Sequence, residues 1–120
     1  MLEDLAQRVN SNAWLVHRGR HLDTQFLLEV GPAAYLVRIH AGRIESVRTG
    51  PFVMPRWSFA LRAAAETWDK FWQPHPRPGF HDLMAMLKLR TLKIEGDQYA
   101  FMSNLLYFKD VLASLRRTAP

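Results

Sequence analysis

Residues 68 to 87 read WDKFWQPHPRPGFHDLMAML and hold two sets of side chains that imply different chemistry. The first is His75 and His81 with Asp69 and Asp82, ligand types suited to zinc or iron. Their spacing argues against a metal. The six-residue step between the histidines crosses a proline-rich loop, and neither HxxxH nor HExxH occurs. Asp82 is placed to cap a following helix, and Asp69 sits on the polar side of a preceding one. With no cysteine in the chain, thiolate nucleophiles, disulfides and Cys-ligated zinc are excluded. Neither a metal nor any other cofactor is expected.

Acid, base and nucleophile candidates are equally scattered. His17, His21, His40, His75 and His81 have no spacing that forces a carboxylate against them. Ser46, Ser58, Ser103 and Ser114 lie outside any G-x-S-x-G elbow, and Gly31, Gly42 and Gly50 stand singly, so no phosphate loop exists. The reading is non-enzymatic. The net charge of +5 comes from 16 basic residues against 11 acidic ones. These bases are dispersed, so nucleic acid is not an expected partner.

The second set is apolar. Trp68, Phe71, Trp72, Phe80, Met84, Met86 and Leu87 are joined by Phe101, Met102, Leu105, Phe108 and Leu112 from the C-terminal segment. These large groups come from three helices that must share one face of a small sheet. Methionine adapts to varied shapes, which suits a site for apolar chains. They are the candidate ligand-binding residues, with His75 and Arg77 at the rim.

One domain of 120 residues has to position them. Leu2, Leu5 and Val9 form the apolar stripe of a short helix, and AWLV is read as a brief strand, although four apolar residues suit either state. From Thr24 the period becomes two: Phe26, Leu28 and Val30 alternate with Gln25, Leu27 and Glu29. YLVRIH and RIESVR follow as consecutive antiparallel strands. Between them Ala41-Gly42 is read as a type I turn with only Gly42 left-handed, because a primed turn would force Ala41 to positive φ.

A short strand is expected in TGPFVMPRW, then a helix over residues 59–72 capped by Ser58, whose face includes Leu61, Ala64, Ala65, Trp68, Phe71 and Trp72. Asp82 caps LMAMLKLR, TLKIE is the last strand, and Asp97 caps one long final helix running to Arg117. The order of elements is α+β.

At TLKIEGD, between two apolar helices, the chain resembles the sterol carrier protein type 2 domain family. YLVRIHAGRIESVRTGP is similar to that family's central hairpin and RWSFALRA to the approach to its middle helices. The resemblance spans roughly residues 2 to 115. It implies a five-stranded, mainly antiparallel sheet covered by helices, in the order α-β-β-β-crossover-β-α-β, with one domain over residues 1–120. It also implies an apolar tunnel between sheet and helices for a fatty acyl chain, lipid, sterol or quinone. A carrier, or an accessory module for a partner enzyme, is the implied role.

WDKFWQPHPRPGF is longer and more aromatic than the family's usual segment, and the end RRTAP lacks a peroxisomal Ser-Lys-Leu tail. No secretory signal or membrane span is legible, so the expected place is the cytoplasm, with at most transient contact with a membrane surface.

Overall fold

Alternating apolar residues build the sheet, and in the computed structural model, which describes residues 2–116, five strands lie in the order β3-β2-β1-β4-β5. β1 (Asp23–Val30), β2 (Ala33–His40) and β3 (Arg43–Thr49) make the expected antiparallel meander, with Phe26 opposite Val37 and Val37 opposite Val47. β4 (Phe59–Ala63) runs parallel to β1 and antiparallel to β5 (Leu92–Gly96). One parallel pair among three antiparallel ones makes the sheet mainly antiparallel.

The two-residue period sorts side chains between the faces. Phe26, Leu28, Val37, Ile39, Phe59, Leu61 and Leu92 share one core with the helices. Leu27, Leu36 and Ala60 point the other way and pack with Ala34, Phe52 and Trp57. The helices are α1 (Leu5–Asn10), α2 (Ala13–Arg18), α3 (Ala65–Phe71), α4 (Leu83–Lys88), α5 (Gln98–Met102) and α6 (Leu105–Ala113). The α+β class holds, and so do the burial of Leu2, Leu5 and Val9 and the capping of α5 by Asp97, whose carboxylate accepts from the Ala100 N–H at 3.0 Å.

Several local expectations give way to tertiary contacts. AWLV is helical, because Asn12 Oδ1 accepts from the Leu15 N–H at 3.2 Å and starts α2. Residues 50–58 contain no strand; the fourth strand is FALRA, which the sequence reading placed in a helix. β1 and β5 offer it ladders on both sides, while Ser58 Oγ accepts from Thr24 Oγ1 at 2.8 Å instead of capping. Helix α3 therefore begins only at Ala65, and Ala64 and Ala65 are exposed.

Asp82 stands at the N-cap of α4 without a side-chain capping bond. The final helix is broken at Ser103-Asn104. There Asn104 Nδ2 donates to the Ala100 carbonyl at 3.1 Å, and its own N–H turns to the Phe101 carbonyl. Arg117, the expected end of that helix, lies outside the described residues.

The β2–β3 turn also differs: Ala41 has φ 52° and Gly42 φ 80°, so the loop is a two-residue primed turn closed by His40 opposite Arg43. Its anchor is Tyr107 on α6, whose hydroxyl donates to the buried Gly42 carbonyl at 2.7 Å. Burial pushes the Tyr107 hydroxyl from its ordinary 10.0 up to about 12. Because the folded value is the higher one, this contribution to stability is intact below pH 10 and is lost as pH rises toward 12. Tyr107→Phe is expected to cost about 1–3 kcal/mol at neutral pH by leaving the Gly42 carbonyl unpaired. Thermal melts across that alkaline window should fall more steeply for the wild type than for the variant.

Candidate functional site

The layer between the helices and the sheet is aromatic. Phe26 stacks on Phe59 with centroids 5.3 Å apart, and Phe108 meets Phe59 edge-on at 4.9 Å and Phe101 in a stack at 5.8 Å. Trp68 on α3 and Trp72 at its C-cap lie one helical turn apart and stack at 5.5 Å, while Phe71 meets Trp68 edge-on at 5.8 Å. Each indole N–H finds a carbonyl: Trp68 donates to Glu29 at 2.8 Å and Trp72 to Leu112 at 2.9 Å. The first bond ties α3 to β1, the second to α6.

The expected site residues separate into two groups. Trp68, Phe71, Met86, Phe101, Phe108 and Leu112 are 0% exposed and Trp72 is 3%. A side chain without water-accessible surface borders no water-sized void, so these residues fill their own layer. Phe80, Met84, Leu87 and Leu105 are half-buried and Met102 is 43% exposed. These five keep accessible surface. His75 and Arg77 are exposed on the proline loop.

His81 is exposed as well, and its Nδ1 accepts from the Gly79 N–H at 3.3 Å. Among the described residues, no three His, Asp or Glu side chains converge to hold a metal.

Sequence reasoning missed two residues that close the layer. Arg116, near the end of the expected final helix, reads from its residue type alone as a solvated charge. Its Nε instead donates to the Phe71 carbonyl and its Nη2 to the His81 carbonyl, both at 2.9 Å, and its guanidinium lies over the Phe71 ring at 4.7 Å. Arg116 thus clasps the end of α3 and the proline loop to the C-terminal end of α6. Burial lowers its pKa, against a smaller opposing effect of Asp110. Tyr107 was the other omission, although Tyr107, Val111 and Leu115 fall at i, i+4 and i+8 and all three are buried.

A separate concavity of about 420 Å³ opens on the opposite face of the sheet, among Leu27, Ala34, Thr49, Pro51, Phe52 and Pro55. No sequence feature pointed to it, because it is formed by the crossing from β3 to β4 folding back over β1 and β2.

Neither a family model nor a curated protein matches the sequence. Solved structures do match the fold. The crystal structure of sterol carrier protein 2 superposes with a TM-score of 0.78 at 13% identity, over 98% of this chain and 94% of that one. The solution structure of a conserved hypothetical protein from Thermus thermophilus gives 0.66 at 10% identity, over 97% and 85%. The ubiquinone synthesis protein UbiJ-SCP2 gives 0.61 at 15% identity, over 92% and 84%. The chain has the sterol carrier protein 2-like fold.

Proposed function

We propose that this protein binds an apolar ligand, such as a fatty acyl chain, lipid, sterol or quinone, between its sheet and its helices, as a non-enzymatic cytoplasmic carrier or presenter. One observation carries this reading. The chain has the sterol carrier protein 2-like fold, and Phe80, Met84, Leu87, Met102 and Leu105, from the proline loop and the helices, keep accessible surface while the large aromatic residues of α3, α5 and α6 are buried.

Burying about sixteen methylene groups yields roughly 13 kcal/mol gross, against association costs of about 4–15 kcal/mol. The remainder must also cover parting the closed layer. Trp68, Phe71, Trp72, Met86, Phe101, Phe108 and Leu112 become lining only when α4 and α6 move off the sheet, with His75 and Arg77 left at the mouth.

A second reading is favoured by the full burial of Trp68, Phe71 and Phe108. A layer that fills itself fits an accessory domain that serves a partner enzyme without a free ligand. The similarity to a ubiquinone synthesis protein is compatible with either reading.

The two are separated by titrating delipidated protein with a long-chain fatty acid, a sterol and a quinone, following tryptophan emission and melting temperature. The carrier reading expects saturable emission changes from Trp68 and Trp72. It also expects stabilisation of about 2.7 kcal/mol at a hundredfold excess over Kd. If all three ligands leave both signals unmoved below their solubility limits, the accessory reading takes its place.

A further inference from the structure

We infer that the tip of the β3–β4 crossing, Val53 and Met54 with Arg48 and Arg56 beside them, is a docking site for an anionic membrane surface. Val53 is 94% exposed and Met54 91%, the two most exposed large apolar side chains among the described residues, and they are consecutive. They do not belong to a loose loop. Phe52 on one side and Trp57 on the other pack against the Leu27, Leu36 and Ala60 cluster, and Pro51 and Pro55 bracket the tip. Met54 holds φ at 48°, an unusual conformation for a residue with a Cβ. The fold thus spends conformational strain on a tip that presents two apolar groups to solvent.

The charge beside the tip selects the partner. Residues 46–58 include Arg48 and Arg56 and no acid. The carboxylates nearest in the sheet are engaged elsewhere: Glu29 and Glu95 with Arg62, and Glu45 with Arg38. Arg48 lies over the Phe52 ring at 5.9 Å, and neither it nor Arg56 has an acidic partner among the described residues. An apolar point with unopposed cations around its base matches the boundary between anionic headgroups and acyl chains. Among the other exposed apolar side chains, Trp14 and Leu106 each adjoin Arg18, whose charge Asp110 balances.

The proposal does not rest on ligand binding, and vesicle partition can be measured without any added ligand. The protein is mixed with phosphatidylcholine vesicles with and without phosphatidylglycerol, and the bound fraction is read by sedimentation. Binding to the anionic vesicles is expected to exceed that to neutral ones by at least about tenfold and to fall with added salt. The double variant Val53→Ser/Met54→Ser and the double variant Arg48→Gln/Arg56→Gln should each lose about tenfold, with melting temperatures near the wild type's.

Equal binding by the Val53→Ser/Met54→Ser protein would overturn the assignment, and so would a wild type that ignores anionic vesicles. Loss of binding in Trp14→Ser but not in the loop variants would move the contact to α2. If the loop substitutions instead abolish self-association in sedimentation velocity, the tip contacts a second copy and the membrane assignment fails.

Discussion

Trp72→Ala is expected to lose about 3–5 kcal/mol of folding stability, the range for deleting a buried large aromatic. Its ring is 3% exposed and stacks on Trp68 at 5.5 Å, so truncation leaves a cavity between α3 and α6 that rigid neighbours cannot fill. The indole N–H bond to the Leu112 carbonyl goes with it. Trp72→Phe separates the two effects, since it keeps most of the volume and should cost nearer to about 1 kcal/mol. Urea unfolding provides the measurement: the midpoint should fall with an unchanged slope. A cost below about 1 kcal/mol together with a large loss of ligand affinity would show the opposite, a tryptophan that borders ligand space instead of holding the fold.

Gly42→Ala should cost a comparable amount for a different reason. Gly42 sits at φ 80°, and a Cβ built there would fall 2.3 Å from the Val16 carbonyl oxygen and 2.8 Å from the Gly19 carbonyl carbon. Both obstacles are backbone, held by α2 and the turn that follows it, so neither moves aside like a flexible side chain. A left-handed penalty of about 1–2 kcal/mol and an overpacking cost of roughly 1–3 kcal/mol combine to about 2–5 kcal/mol. The neighbouring position has the opposite sign. Ala41 holds φ 52° on the exposed side of the turn, so Ala41→Gly should be neutral or stabilising by up to about 1 kcal/mol. Chemical denaturation of both variants tests the turn assignment. Equal destabilisation by the two would contradict it.

Much of the frame was legible because it is local or periodic. The alternation of Phe26, Leu28 and Val30 against Leu27 and Glu29 defined β1 and its two faces; of the apolar residues grouped in the last helical segment, Phe101, Phe108 and Leu112 are buried, while Leu105 is half-buried and Met102 exposed. The cap at Asp97 was legible for the same reason, since a carboxylate three residues before a free N–H needs no distant partner.

What the sequence left open depends on contacts between residues far apart in the chain. FALRA has too few residues for its period to separate strand from helix, and the empty places beside β1 and β5 decide it. Ala41 takes a left-handed conformation because Tyr107, on the last helix, binds the next carbonyl; local propensity alone opposes it. Arg116 looked like a solvated end of a helix until the carbonyls of Phe71 and His81 arrived beside it. For the site, composition pointed to large aromatic and methionine side chains between helices and sheet; the aromatic residues Trp68, Phe71, Phe101 and Phe108 are buried, whereas of the helical methionines only Met86 is, and Met84 and Met102 keep accessible surface. Whether that layer stands open or closed is set by how tightly those side chains interdigitate. Packing density is a property of the assembled volume that no run of residues encodes by itself.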